Sequence, residues 1–252
     1  MIPRLELFPA HYPVVVGISS CLLGHKVRYD GDHRMADPLL QRFAAAVEWL
    51  PLCPEVGIGL GVPRPAIELV EQNGVTRALG VADPTFDVTD ALQDYAETIS
   101  PYLTHASGYI FKARSPSCGL VDTTIRQTHT KTVGRGLYSY GITAALPHLP
   151  VSDEQCLEHS DTFDHFVEHI FCYARWQAHL QGSGTATDLN RFHAAHRRVW
   201  ASHAPEESRE IDEIAAHTPF CARGMNQTYW STVDRILKVP ASSANHLKVL
   251  PL

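Results

Sequence analysis

Short apolar runs alternate with helical stripes along the first two-thirds of the chain, and the last third keeps only the helical period. Val14-Val15-Val16-Gly17-Ile18 is apolar at consecutive positions and stops at Ser19-Ser20-Cys21. That is the pattern of a parallel strand buried on both faces. Asp37 to Val47 has apolar residues at helical spacing, opened by Asp37 as a cap with Pro38 in the first turn. Trp49 to Leu52 is a second short run and ends at Cys53-Pro54-Glu55. Ala66 to Glu71 and Val75 to Gly80 flank Asn73-Gly74, the sequence of a tight hairpin. Thr89 to His105 predicts an amphipathic helix with Leu92, Tyr95, Ile99 and Leu103 on one stripe. Gly108 to Lys112 reads as the next strand and runs into Ser115-Pro116-Ser117-Cys118-Gly119, and Leu137 to Leu146 as a short helix.

Past about residue 155 the strand signals fade. Phe163 to Leu180 carries the stripe Phe166, Ile170, Tyr173, Ala174 and ends in the linker-like Gln181-Gly182-Ser183-Gly184. Asp188 then caps a second predicted helix running to Trp200, and Glu206 to His217 forms a third. The expected fold is α/β, a mostly parallel sheet with helices on both faces over residues 1–157. A small all-α C-terminal domain is expected over 158–252.

With 252 residues and 44% hydrophobic content the chain can bury a normal core. No apolar stretch approaches the roughly 18 residues a membrane span needs. Arg4, Glu6 and Pro9 precede any apolar run, unlike a secretion signal. A cytoplasmic protein is expected, with no membrane association and no obligate protein partner. In that compartment six cysteines point to metal, catalysis or burial, not to a disulfide framework. The formal charge of −6 argues against a whole-protein footprint for nucleic acid, though not against a local basic patch.

Cys21, Cys53 and Cys118 each follow a predicted strand, at the edge where open α/β sheets bind ligands. Spacing alone does not group them: intervals of 32 and 65 residues write no local zinc or ferredoxin motif. Each lies in Gly-, Ser- or Pro-rich sequence beside polar residues, poor material for a core. Soft thiolates select iron–sulfur clusters, zinc or copper(I), and three ligands leave a position open for chemistry. Ordinary burial is the alternative for each, and a structural or incidental role is the preferred reading for Cys156, Cys172 and Cys221.

The strings resemble a known family as a set. Ser19-Ser20-Cys21-Leu22-Leu23-Gly24 with Val27-Arg28-Tyr29-Asp30-Gly31 resembles the opening of the thiouracil desulfidase (TudS) family. So do Cys53-Pro54-Glu55-Val56 with Gly59-Leu60 and Pro63-Arg64, and Lys112 through Ser115 to Gly119. The resemblance spans residues 13 to 155. It implies a 4Fe-4S cluster held by Cys21, Cys53 and Cys118, with one iron left to take the sulfur of a thiolated base. It also implies Glu55 and Ser115 as catalytic residues, with Ser117 close enough to share the serine's role. Arg28 and Arg64 are candidate pocket residues, with scaffold ion pairing as the alternative.

Arg191 to Arg198, followed by Ala201 to Glu206, is similar to the YbgA-like helical domain, here shortened. Fusions of the two domains resemble the RudS type of desulfidase, which converts 4-thiouridine in transfer RNA to uridine. The implied partner is thiolated transfer RNA, contacted by Arg191, Arg197 and Arg198 with His193 and His196. An ordinary solvated helix face is the alternative, since the chain beyond residue 155 carries 9 basic against 11 acidic residues. Desulfuration of free thiouracil, or a non-enzymatic iron–sulfur or zinc protein, are the other readings.

Overall fold

In the computed structural model, residues 13–43, 46–181, 186–216, 223–239 and 241 are described. The chain divides into two compact units, one of residues 14–160 and the other holding residues 161–252. The first unit runs β1 (Val15–Ser19), α1 (Asp37–Phe43), β2 (Glu48–Leu52) and the one-turn helix α2 (Pro54–Gly57). Then come β3 (Ile67–Gln72), β4 (Val75–Gly80), α3 (Thr89–Leu103), β5 (Gly108–Phe111), β6 (Thr123–Arg126), β7 (Lys131–Gly134), α4 (Leu137–Ala145) and β8 (Val151–Asp153).

Strands β2-β1-β5-β8 make an all-parallel sheet flanked by helices, as the consecutive apolar runs predict. Val16 and Ile18 of β1 are wholly buried, which suits the strand to a place between two neighbours. The winding reverses at β1, with β2 on one side and β5 and β8 on the other. A doubly wound sheet opens a crevice at the carboxyl ends beside such a reversal. Ser19 pairs with Leu52, and Phe111 with Asp153, so the segments after all four strands leave along one edge.

The hairpin strands do not join that sheet. They build a second one, β4-β3-β6-β7, in which only β3 and β6 are parallel. Asn73 and Gly74 turn the chain at φ 54° and 79°, the left-handed pair a two-residue hairpin needs. The buried face of α3 is Thr89, Leu92, Ala96, Ser100 and Leu103, so the expected Tyr95 and Ile99 lie on its half-buried flank.

The second unit comprises α5 (Ser160–Gln181), α6 (Ala186–His203), α7 (Glu207–Ala216) and α8 (Arg223–Leu237). Trp176, Phe192, Trp200, Ile211, Tyr229, Trp230 and Val233 share one aromatic-rich core. Helix α6 starts at Ala186, ahead of the expected cap Asp188, which stands instead in its first turn where a carboxylate suits the helix dipole. Gly182 to Gly184, His217 and Cys221 lie outside the described residues. No helix among the described residues is long and apolar enough to cross a membrane.

Candidate active site

The carboxyl edge of the parallel sheet opens into a cavity of about 740 Å³. Cys21 enters it from the 3-10 turn Ser20–Leu23 after β1, and Cys53 from the junction of β2 and α2. Cys118 enters from the loop after β5. The three sequence-separated cysteines thus share one cavity, as their strand-end placement predicts. All three are free thiols; Cys21 and Cys118 are buried and Cys53 half-buried.

Burial, then the charge of Cys53, pushes the Cys21 thiol up to about 11, against the opposing pull of Lys112. Burial also raises Cys53, and raises Cys118 strongly despite a hydrogen bond from Ser19. A metal guest needs these thiols as thiolates, so its binding would release their protons and depend on pH. Among the described residues no group of three or more His, Cys, Asp or Glu side chains is spaced to share one metal ion. A four-iron cluster binds each cysteine through a different iron, so its ligands stand farther apart than those of a mononuclear site. The donor set, three soft sulfurs lining one cavity, suits an iron–sulfur cluster.

The Cys118 loop is pinned from behind by the start of α4. Leu137 N–H donates to Pro116 O at 3.2 Å, and Tyr138 and Ser139 N–H to Ser117 O at 3.0 and 3.1 Å. This approach requires Gly136, where a Cβ would stand 2.4 Å from Ser117 O and 2.8 Å from Cys118 N. Tyr109 and Tyr138 also lie within the electrostatic reach of Cys118. Their buried hydroxyls lie close enough to act on one another as well.

Glu55, in the first turn of α2, lies at the wall of the cavity between two donors. Arg64 Nε reaches Glu55 Oε2 at 2.8 Å, and Ser117 Oγ donates to Oε1 at 2.9 Å. Arg64 is 3% exposed at its side chain and also bonds Gly61 O at 3.0 Å, so it is a fixed brace for the carboxylate. Ser115 has a different position: its Oγ accepts Ser117 N–H at 3.3 Å and Cys118 N–H at 3.1 Å. Both of its lone pairs are used, so its own O–H is left to donate. Ser115 lines the cavity and the wholly buried Ser117 does not. Arg28 lines it too, engaged by Asp30 at 3.2 Å and lying over the Tyr29 ring.

A second ion pair in this cavity was not singled out by the sequence. Lys112, just past β5, pairs with Glu154, just past β8. Glu154 also accepts Ala113 N–H at 2.8 Å. The available signal was their position, one residue beyond two neighbouring parallel strands.

On α6 the expected basic cluster separates. Arg191, Arg197 and Arg198 are exposed, with Arg191 paired to Asp188 and Arg197 held by both oxygens of Asp212. His193 and His196 are buried, contrary to their expected place on a cationic face. They sit at helical spacing with Phe192 and Trp200, and the His196 ring stacks on both at 4.3 and 5.4 Å. Burial depresses both imidazoles, His196 to about 3, so His196 is neutral at physiological pH.

Comparison with known proteins accords with the first unit. YbbK of Bacillus subtilis (strain 168), described only as an uncharacterized protein, is 31% identical over 108 residues, covering 40% of this chain and 71% of YbbK. A solved structure described as the [4Fe-4S]-dependent thiouracil desulfidase TudS is 30% identical, with a TM-score of 0.44 over 57% of this chain and 92% of that one. A family model described as 2-thiouracil desulfurase matches residues 16–154, more than half of the chain. The chain belongs to the 2-thiouracil desulfurase family.

Proposed function

We propose that the chain is a desulfidase that exchanges the sulfur of a thiolated uracil for oxygen, with Cys21, Cys53 and Cys118 holding a 4Fe-4S cluster. The convergence of three free, buried or half-buried thiols with a braced carboxylate in one cavity carries this reading. The reaction is C=S plus water to C=O plus hydrogen sulfide, with no net electron transfer. The cluster, when bound, supplies a soft Lewis acid for the thiocarbonyl sulfur.

The protein's own groups handle water and protons. Glu55, with both oxygens oriented by Arg64 and Ser117, retains acceptor capacity and takes a proton from the attacking water. Ser115 directs its remaining O–H at an oxygen or ring nitrogen of the base as charge develops there. Ser117 positions Glu55, and Arg28 lies against the base or its sugar. This assigns Ser115 the substrate contact and Ser117 the supporting role.

4-Thiouridine in transfer RNA, converted to uridine, is the substrate proposed from the helical region, with Arg191, Arg197 and Arg198 on phosphates and a cytoplasmic setting. Free thiouracil is the second reading. It is favoured by the pairing of Arg191 and Arg197 with acids and the burial of both neighbouring histidines, which reduce the charge left for a backbone. Anaerobic incubation of the cluster-loaded protein with thiolated transfer RNA and with thiouracil divides them. The substrate that loses its sulfur first at equal concentration is the preferred one. Loss from neither rejects the desulfidase reading.

A further inference from the structure

Behind each cysteine-bearing segment stands a tyrosine that does not itself line the cavity. Tyr95 of α3 meets Gly57, whose N–H donates to Cys53 O at 2.8 Å. A Cβ at Gly57 would stand 2.4 Å from Tyr95 Cε2 and Cζ and 2.7 Å from its Oη. Tyr109 of β5 meets Gly17 of β1, in the strand that leads to Cys21, where a Cβ would stand 2.4 Å from its Cδ2. Tyr138 of α4 donates its N–H to Ser117 O at 3.0 Å, next to Cys118.

The three rings form one row. Tyr95 and Tyr138 have centroids 5.7 Å apart, and Tyr138 and Tyr109 6.2 Å apart, both within the range of aromatic pairing. Tyr109 and Tyr138 are wholly buried, and Tyr109 stacks on Phe111 at 4.0 Å, so the inner end is held by close packing. Tyr95 is the half-buried outer end. The segment it meets has the least support of its own. Strand β2 is the edge of its sheet with no buried residue, and α2 is a single turn, too short to hold its own shape.

We propose that Tyr95 is the positioning residue for the Cys53–Glu55 turn: its ring, backed by Tyr138, sets where that turn stands before any metal arrives. The inference rests on the cluster reading for the use of Cys53 and on the desulfidase reading for Glu55. The contact itself belongs to the unloaded chain, so it can be tested apart from both.

The test is a double-mutant cycle across the Tyr95–Gly57 contact. Gly57 is helical, so alanine there meets no obstacle from its own backbone, only the tyrosine ring. In unloaded protein, Gly57→Ala should speed amide exchange over residues 53–57 by about fivefold or more, the effect of overpacking by one methyl. Combined with Tyr95→Leu, which leaves room for the methyl, the added effect of Gly57→Ala should largely vanish. Tyr95→Phe keeps the ring and should exchange far more slowly than Tyr95→Leu. Exchange in Gly57→Ala equal to wild type, or additive effects in the double variant, overturns the role, because the ring then yields and the turn does not. If Tyr95→Leu does not fold, Gly57→Ala alone decides.

After anaerobic reconstitution, Gly57→Ala should also hold less iron, and its kcat per iron on thiouracil should fall with KM nearly constant. A raised KM at unchanged kcat overturns the positioning of Glu55. Coupled exchange in a wild-type protein that takes up no iron rejects the cluster reading alone. Coupled exchange with iron but no sulfide release rejects the desulfidase reading alone. Iron uptake and turnover with uncoupled exchange reject the role of Tyr95 alone.

Discussion

Ser117 Oγ donates to Glu55 Oε1 at 2.9 Å across 62 residues of sequence, and so ties the Cys118 loop to the turn that follows Cys53. Two cysteine-bearing segments are thereby locked together through the residue assigned to proton transfer. Arg64 holds the other oxygen of the same carboxylate. The acid–base group and the thiols therefore form one mechanical unit.

Glu55→Gln keeps the shape and an acceptor for Ser117 but removes the base. Turnover should fall by about 10²- to 10⁴-fold with iron content unchanged. Because Arg64 is left buried beside a neutral partner, thermal stability should fall as well. Full turnover with bound iron contradicts the assignment.

The two serines should separate in assay. Ser115→Ala strips an acceptor from two backbone N–H groups and a donor from the cavity, lowering both kcat and iron retention. Ser117→Ala only frees Glu55, so iron stays and kcat falls less. The reverse ranking moves the substrate contact to Ser117.

Gly136→Ala places a methyl against Ser117 O and Cys118 N, backbone atoms that cannot rotate away. The Cys118 loop must shift, costing about 1–3 kcal/mol in stability and lowering iron content after reconstitution. Thermal melting of the unloaded protein and iron analysis check the two effects independently.

The helical unit should weaken on acidification. Burial holds His165 at about 4, against the opposing hydrogen bond to Leu237 O, and His196 at about 3. The unfolded chain takes up these protons first, near 6.5, so stability falls as pH drops from about 6.5 toward 4. His196 alone contributes on the order of a few kcal/mol. His203 runs the other way: burial lowers it, but hydrogen bonds to Glu168 and Val239 O raise it further. Its contribution is present below 6.5 and lost as pH rises through its higher folded value. Denaturant melts of wild type and His196→Phe between pH 7 and 4.5 test the balance, with the smaller pH slope expected in the variant.

The legible parts of the fold were those written locally. A β-branched run gives β1, Asn73-Gly74 gives the hairpin, and each cysteine follows a strand. Strands β6 and β7 escaped because Thr124, Arg126, Lys131 and Thr132 are exposed and their place is set by pairing with β3 and each other. Helix α8 carries Tyr229, Trp230, Val233, Ile236 and Leu237 on one buried face, a period that was readable and missed. His196 belonged to the buried stripe of Phe192 and Trp200, but its titratable ring drew it into a surface patch instead. The Ser117–Glu55 and Lys112–Glu154 pairs join residues 62 and 42 apart, and no local pattern encodes such a contact.

Iron and acid-labile sulfide per chain, measured after anaerobic reconstitution of wild type and of Cys21→Ala, Cys53→Ala and Cys118→Ala, test the central claim most directly. The account predicts about four of each in wild type and a large loss in all three variants. A wild-type protein that binds zinc alone, or a variant that keeps the full complement, contradicts it.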